Sequence, residues 1–317
     1  MWQEGRPCSQ QRIVVVVGPT ASGKTALALK LAEALGGEIL GCDALQIRAG
    51  LPLLTAKPTP TELSRRPHHL IGVLPLEQAA TAAQYVKLAD EVLLRLEAAG
   101  RPAILCGGTG LYLRALCEGL FEGPPADAAL RAGLRQEARS HGTAALHQRL
   151  SAVDPTAAGR IAPADYVRIE RALEVYTLTG RSLSAWLSEH QAERARGPRY
   201  HTLRIGLDPG PTVLRARIQA RIRWMLDSGL LQEVATVRAR GKLGDPPLGY
   251  ALVEQHLQGE LSLQAMSEVL LQKTWQYARR QRTWFRRELG VTWYSDADEV
   301  PLAELLTAVR AATLADG

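Results

Sequence analysis

One stretch near the N-terminus constrains this chain more than any other. Ile13-Val14-Val15-Val16-Val17 is followed at once by Gly18-Pro19-Thr20-Ala21-Ser22-Gly23-Lys24-Thr25. Five consecutive β-branched residues show no period-two alternation, which is the pattern of a strand buried on both faces in a parallel sheet. The eight residues that follow fit GxxxxGK(S/T) between a strand and a helix, the setting in which that motif binds phosphate. Backbone N–H groups and the helix N-terminus of such a loop form an anion site. Lys24 adds positive charge, and Thr25 adds a hydroxyl able to orient Mg²⁺. A di- or triphosphate is the expected ligand.

The rest of the chain agrees with an α/β fold built on a P-loop-like parallel sheet. Strand-like runs recur at Glu38–Cys42, His69–Val73 and Ala103–Cys106, separated by helical periodicity over Thr25–Leu35 and Ala79–Ala98. Beyond Gly123-Pro124-Pro125 the pattern turns purely helical: Asp127–Ser140, Gly142–Ser151, Tyr166–Thr179 and Leu183–His190. A strand returns at Thr202–Leu207, long helices are predicted at Thr212–Arg240 and Leu263–Leu289, and Val291–Tyr294 reads as a last strand. The returning strand favours a core of residues 1–121 and 200–317 interrupted by an all-helical insertion, 122–199, over two consecutive domains.

Composition excludes several classes. The chain has 317 residues, no secretory signal and no apolar span of membrane length, so a cytoplasmic protein without membrane contact is expected. Cys8, Cys42, Cys106 and Cys117 have no CxxC spacing, so neither a zinc knuckle nor a disulfide framework is expected. Net charge is +6, a mild hint of a polyanionic partner. Residues 273–287 carry six basic side chains and no acid; Arg279, Arg282 and Arg286 share a helix face there, read as a phosphate-contacting surface. No oligomer signal stands out, and a monomer is expected.

The phosphate loop suggests nucleotide hydrolysis or phosphoryl transfer, but the acid that holds Mg²⁺ in such enzymes is missing. Ala103–Cys106 runs into Gly107-Gly108-Thr109-Gly110, which offers a hydroxyl and bare backbone. The other strand-end acid is Asp43. At the C-terminal end of a parallel strand it would face the P-loop crevice as metal ligand or general base, with capping of the next turn as its structural alternative.

Taken in order, GPTASGKT, Asp43-Ala44-Leu45-Gln46, Thr55-Ala56-Lys57-Pro58, Pro67-His68-His69-Leu70 and Gly107-Gly108-Thr109-Gly110-Leu111-Tyr112 resemble the bacterial tRNA dimethylallyltransferases. The resemblance continues through Arg168-Ile169, Arg171–Tyr176, Gly249-Tyr250 and Gln276–Gln281, and covers about Ile13 to Tyr294. It implies that the loop, Gly18 to Thr25, holds the diphosphate of dimethylallyl diphosphate, with Mg²⁺ at Thr25 and Arg217 as a second basic ligand. It implies transfer of the prenyl group to N6 of the adenosine at position 37, beside the anticodon, so that carbon rather than phosphorus is attacked. Asp43 matches the family's base and Thr109 the threonine near the reacting amine. Residues matching tRNA-contacting positions are Asp43, Ala44, Leu45, Gln46, Thr109 and Arg131, then Val167, Arg168, Ile169, Glu170 and Arg171. With Arg279, Arg282 and Arg286 they make up the surface expected to hold the anticodon stem-loop.

Departures from the family pattern occur at Ala44, Ile47-Arg48, Leu53-Leu54, Gly72, Ala164–Tyr166, Leu252 and Trp275. None removes Lys24, Asp43 or Thr109; they bear on acceptor handling. Two other readings compete. A small-molecule kinase would need the missing acid, and an isopentenyltransferase acting on free AMP or ADP would have little use for a helical insertion.

Overall fold

A computed structural model describes residues 9–314, apart from 79, 120, 122, 195, 196 and 242. Cys8 lies outside the described residues. In chain order the elements are β1 (Ser9–Val17), α1 (Lys24–Leu35), β2 (Glu38–Gly41), α2 (Pro60–Arg65), β3 (His68–His69), α3 (Ala82–Ala98), β4 (Ala103–Gly107) and α4 (Gly110–Glu118). Then come α5 (Ala128–His141), α6 (Thr143–Val153), α7 (Pro155–Ala158), α8 (Tyr166–Thr179) and α9 (Leu183–Arg194). Last are β5 (Tyr200–Leu207), α10 (Pro211–Asp227), α11 (Leu230–Arg238), α12 (Tyr250–Leu257), α13 (Leu263–Phe285), β6 (Val291–Tyr294), a 3₁₀ turn at Ala297–Glu299 and α14 (Leu302–Leu314).

Six strands form one parallel sheet in the order β3-β2-β4-β1-β5-β6. The β-branched run lies at its centre, with Ile13 opposite Ala103 on one side and Thr202 on the other. Its lack of alternation now has a cause. Ile13, Val15 and Val17 pack with Tyr85, Leu93, Tyr112 and Phe285, whereas Val14 and Val16 pack with Leu27, Leu31, Ile104 and Leu305. Both faces are covered by helices, so every position from Ile13 to Val17 is a core position. The expected α/β parallel fold is therefore found.

Contacts divide the chain into two compact units, Met1–Glu118 with Arg199–Gly317, and Gly119–Pro198. The first contains the sheet and a further apolar cluster from α10 to α13, including Leu214, Ile218, Leu230, Val253, Met266 and Leu270. The second contains α5 to α9 and has its own core, with Leu134, Leu146, Leu150, Ile169 and Leu173 fully or nearly fully buried.

Several element boundaries differ from expectation. The single helix expected over Thr212–Arg240 is two, because the chain turns at Gly229, whose φ of +96° lies where glycine alone is at ease. The strand expected at His69–Val73 is only His68–His69; Leu70 and Gly72, both with positive φ, end it. Helix α13 stops at Phe285 rather than Leu289. Helix α4, which begins directly at Gly110, is hidden in the sequence by the glycines in front of it.

Candidate active site

Parallel strands end at one edge of the sheet, and the crevice lies where connections leave the central strand in opposite directions. Here the central strand is β1, and the loop that leaves it is Gly18–Gly23. Gly18 is required by contact: a Cβ there would lie 2.3 Å from the carbonyl oxygen of Leu207 on β5. The loop ends at Gly23, the left-handed N-cap of α1, so the first helical turn begins at Lys24 and Thr25. The Lys24 ammonium folds back and donates to the Pro19 carbonyl at 2.6 Å. Its pKa is brought down to about 8, chiefly by burial, with the Arg221 charge acting the same way against the pull of Cys106 and Asp43.

Two side chains from distant elements hold the loop. The Thr20 N–H donates to Gln281 Oε1 at 2.8 Å, and Gln281 Nε2 donates to the Gly108 carbonyl at 2.9 Å. One buried amide on α13 thus joins the loop after β1 to the loop after β4. From α10, Arg221 donates to Thr20 Oγ1 at 2.9 Å. One turn earlier, Arg217 donates to the Ser22 carbonyl at 3.3 Å and to Asp296 at 2.6 Å.

The loop after β2 brings Asp43 to the same edge. Its Oδ1 accepts from the N–H groups of Leu45 at 2.9 Å and Gln46 at 3.2 Å, so Asp43 does cap the next turn. Its Oδ2 faces Gly108. Thr109 is brought beside it: Oγ1 accepts from the Ala44 N–H at 3.0 Å, and its own N–H donates to the Cys42 carbonyl at 3.1 Å. Neighbouring strands β2 and β4 make this pairing unavoidable, since Gly41 lies opposite Cys106 in the sheet. Gln46 spends its amide N–H groups on the carbonyls of Ala56 at 2.8 Å and Thr55 at 3.2 Å. Both N–H groups of the Gln46 amide are thus turned to the backbone of the Thr55–Ala56 segment.

A cavity of about 370 Å³ opens on these groups. Thr20 to Thr25, Asp43, Leu45, Gln46, Gly108, Arg221 and Gln281 line its polar part, and Leu54, Ile218, Ile222, Met225 and Leu270 its apolar wall. Neither Thr109 nor Arg217 is among its lining residues. Arg221 and Gln281, absent from the sequence-based set, both are. A signal for Arg221 existed: it follows Arg217 by four residues in a helix, and so shares its face.

Residues expected to meet RNA separate into two groups. Val167 and Arg168 are exposed on α8, and Arg279 is exposed on α13. Ile169 is fully buried in the core of the helical unit and Glu170 nearly so, which corrects their assignment as RNA contacts. Arg131 and Arg171 are bound to the buried carboxylate of Glu174, at 2.8 Å and 2.5 Å. Arg282 on α13 and Arg286 just beyond its end share Asp208, at 2.8 and 3.0 Å, and Arg282 is largely buried. The basic face read over Arg279, Arg282 and Arg286 is therefore partly neutralised within the protein.

Residues 46–288 match the family model described as IPP transferase. The chain belongs to this family. A tRNA dimethylallyltransferase of Anaeromyxobacter dehalogenans is 46% identical over 292 residues, covering 91% of this chain and 94% of that protein. One from Geobacter metallireducens is 43% identical, covering 89% and 92%. The full-length tRNA isopentenylpyrophosphate transferase of Bacillus halodurans, a solved structure, is 33% identical with a TM-score of 0.67 over 96% of this chain and 97% of that one. A eukaryotic dimethylallyltransferase acting on tRNA, 23% identical with a TM-score of 0.72, shares the fold. The IPP transferases are prenyl-transferring enzymes of tRNA modification, and this chain is one of them. No described helix of this member is long and apolar enough to cross a membrane.

Proposed function

We propose that the chain transfers the dimethylallyl group of dimethylallyl diphosphate to N6 of the adenosine at tRNA position 37, in the anticodon stem-loop, and releases pyrophosphate. It would act as a cytoplasmic monomer. The observation that carries this reading is one cavity on which both the phosphate loop and the Asp43 carboxylate open, with an apolar wall suited to a five-carbon chain.

The roles follow from the chemistry. The N6 lone pair is delocalised into the purine, so the amine is a poor nucleophile. Asp43 accepts its proton as the N6–C1 bond forms and the allylic C–O bond breaks, with the bonding electrons leaving on pyrophosphate. A base so placed contributes about 10²–10⁴-fold. Thr109, through the Ala44 N–H that its hydroxyl accepts, orders the turn that carries Asp43. Lys24 and the loop N–H groups stabilise the charge that grows on the leaving group, while Arg217, bound to Asp296 and the Ser22 carbonyl outside the cavity lining, braces the loop.

Magnesium fits this arrangement. No group of three or more His, Cys, Asp or Glu side chains among the described residues forms a metal cage. Mg²⁺ is commonly held by one or two protein groups plus substrate phosphates. Thr25, in the first turn of α1 and on the cavity wall, would hold it, and the ion would neutralise diphosphate charge.

The experiment is direct. The protein is incubated with dimethylallyl diphosphate and either unmodified tRNA or AMP, and adenosine is analysed by mass spectrometry. Prenyl mass on tRNA adenosine is expected. Product on AMP alone would reject the acceptor.

A further inference from the structure

The cavity changes character along its length. Leu270, Thr274, Tyr277 and Gln281 all line it. Spaced by four, three and four residues, they form one stripe of α13. At the Gln281 end the stripe meets the phosphate loop through the Thr20 N–H and the loop after β4 through the Gly108 carbonyl. Burial and, after it, the Asp43 charge raise the pKa of the Tyr277 hydroxyl, so the carboxylate belongs to this half as well. At the opposite end the stripe meets carbon. A Cβ on Gly249 would come within 2.6 Å of Leu270 Cδ1 and 3.3 Å of Leu54 Cδ1, so two leucine methyl groups converge over that glycine. Leu248 lines the cavity beside them, and Met225 belongs to the same apolar cluster.

Leu54 is fixed by its backbone on both sides. Its N–H and that of Leu53 donate to the Glu233 carboxylate, at 2.9 and 2.8 Å. The next two carbonyls, of Thr55 and Ala56, accept from Gln46. The isobutyl group of Leu54 is thus set on the cavity wall before any ligand arrives. The position is also one at which this chain departs from the family pattern. An allylic diphosphate seated on the loop has one favourable direction for its hydrocarbon, away from the charges and along the stripe toward Leu270. A wall at fixed depth in that direction discriminates by chain length. A single methylene in an apolar pocket is worth about 10- to 200-fold in specificity, and a further isoprene unit is far larger.

We propose that Leu54, backed by Leu270 and Gly249, sets the length of the allylic donor, admitting a five-carbon dimethylallyl chain and stopping a ten-carbon geranyl chain. This rests on the reading of the Gly18–Thr25 loop as the diphosphate site and of Asp43 as the base. The transfer is the same for either donor: the N6–C1 bond forms, the allylic C–O bond breaks, and pyrophosphate leaves with the bonding electrons.

The test gives the full chain equal concentrations of dimethylallyl and geranyl diphosphate with unmodified tRNA and Mg²⁺, and reads the two prenyl masses on adenosine. Wild type, Leu54→Ala and Leu54→Phe are compared, with folding checked by circular dichroism. Wild type should favour the shorter donor by at least about 100-fold. Leu54→Ala should raise the ratio of geranyl to dimethylallyl product by at least about 10-fold, a gain that loss of a structural contact alone would not give. Leu54→Phe should raise KM for dimethylallyl diphosphate by about 10-fold or more, with affinity for inorganic pyrophosphate within about twofold of wild type. Equal use of both donors by wild type would show that no length limit exists. A product ratio in Leu54→Ala within about twofold of wild type, or an unchanged KM in Leu54→Phe, would take Leu54 off the path of the donor. Each of these results leaves the reaction itself in place. If wild type transfers neither donor to tRNA, the reading of the reaction falls and the length limit falls with it. Where Leu54→Ala does not fold, Leu54→Val decides: a ratio raised by about threefold or more supports the limit, and an unchanged ratio rejects it.

Discussion

Asp43 meets two different surroundings with its two oxygens. Oδ1 closes the turn by accepting from Leu45 and Gln46, which leaves Oδ2 to face the cavity side at Gly108. Removing the carboxylate altogether would therefore confound loss of the proposed base with a loosened turn. Asp43→Asn keeps the cap, since an amide oxygen accepts equally well, and removes the basicity. Turnover should fall by about 10²–10⁴-fold with pyrophosphate affinity retained, read by single-turnover kinetics beside calorimetry. At this scale the sequence revealed residue identity but not partnership. Lys24, Asp43 and Thr109 were legible because each follows a strand in a short motif. Arg282 reads from the sequence as part of a phosphate-contacting face because its partner, Asp208, lies 74 positions away. Ile169 falls in the Val167–Arg171 segment for which the family resemblance implies RNA contact, yet the helical period turns it inward.

Among elements, α13 ties several others together. It carries Gln281, which ties two site loops together, and it is itself fixed to the end of β5 where Asp208 binds Arg282 and Arg286. Burial alone would raise the Asp208 pKa, but the two guanidinium groups outweigh it and keep the carboxyl below its usual range. Asp208→Ala would leave the largely buried Arg282 without its anion. A loss of up to about 3 kcal/mol is expected in urea unfolding, because an uncompensated charge costs more than the pair contributes. Because α13 also positions Gln281, pyrophosphate affinity should fall in parallel. Strands and long amphipathic helices were legible from periodicity. The break at Gly229 was not, since one glycine inside an otherwise helical pattern is compatible with continuation until its φ is known.

For the molecule as a whole, charge acts in two ways. Inside the helical unit, burial opposes ionisation of Glu174, but Arg131, Arg171 and the Asp127 N–H hold its pKa at about 2. A carboxyl with a lowered folded-state pKa stabilises above its unfolded value and loses that contribution as pH falls through the folded value. Thermal stability of wild type should decline between about pH 4.5 and pH 2 more steeply than that of Glu174→Gln, followed by circular dichroism at 222 nm. On the surface, exposed cations are the ones able to release counterions from RNA, Arg168 by exchanging its 3.4 Å pair with Asp165 for a phosphate. Arg168→Ala and Arg279→Ala should each lower the slope of log affinity for tRNA against log salt by about 0.7–0.9. Arg131→Ala should instead destabilise the fold. One consequence of the divided chain concerns birth rather than activity. Central strand β1 needs β5 beside it, and β5 leaves the ribosome only after the whole of residues 119–198. The helical unit, with its own core, is thus synthesised in full while the sheet still lacks two strands. Nascent chains arrested shortly after residue 198 should already protect α5–α9 from protease, whereas β1 stays digestible until β5 emerges.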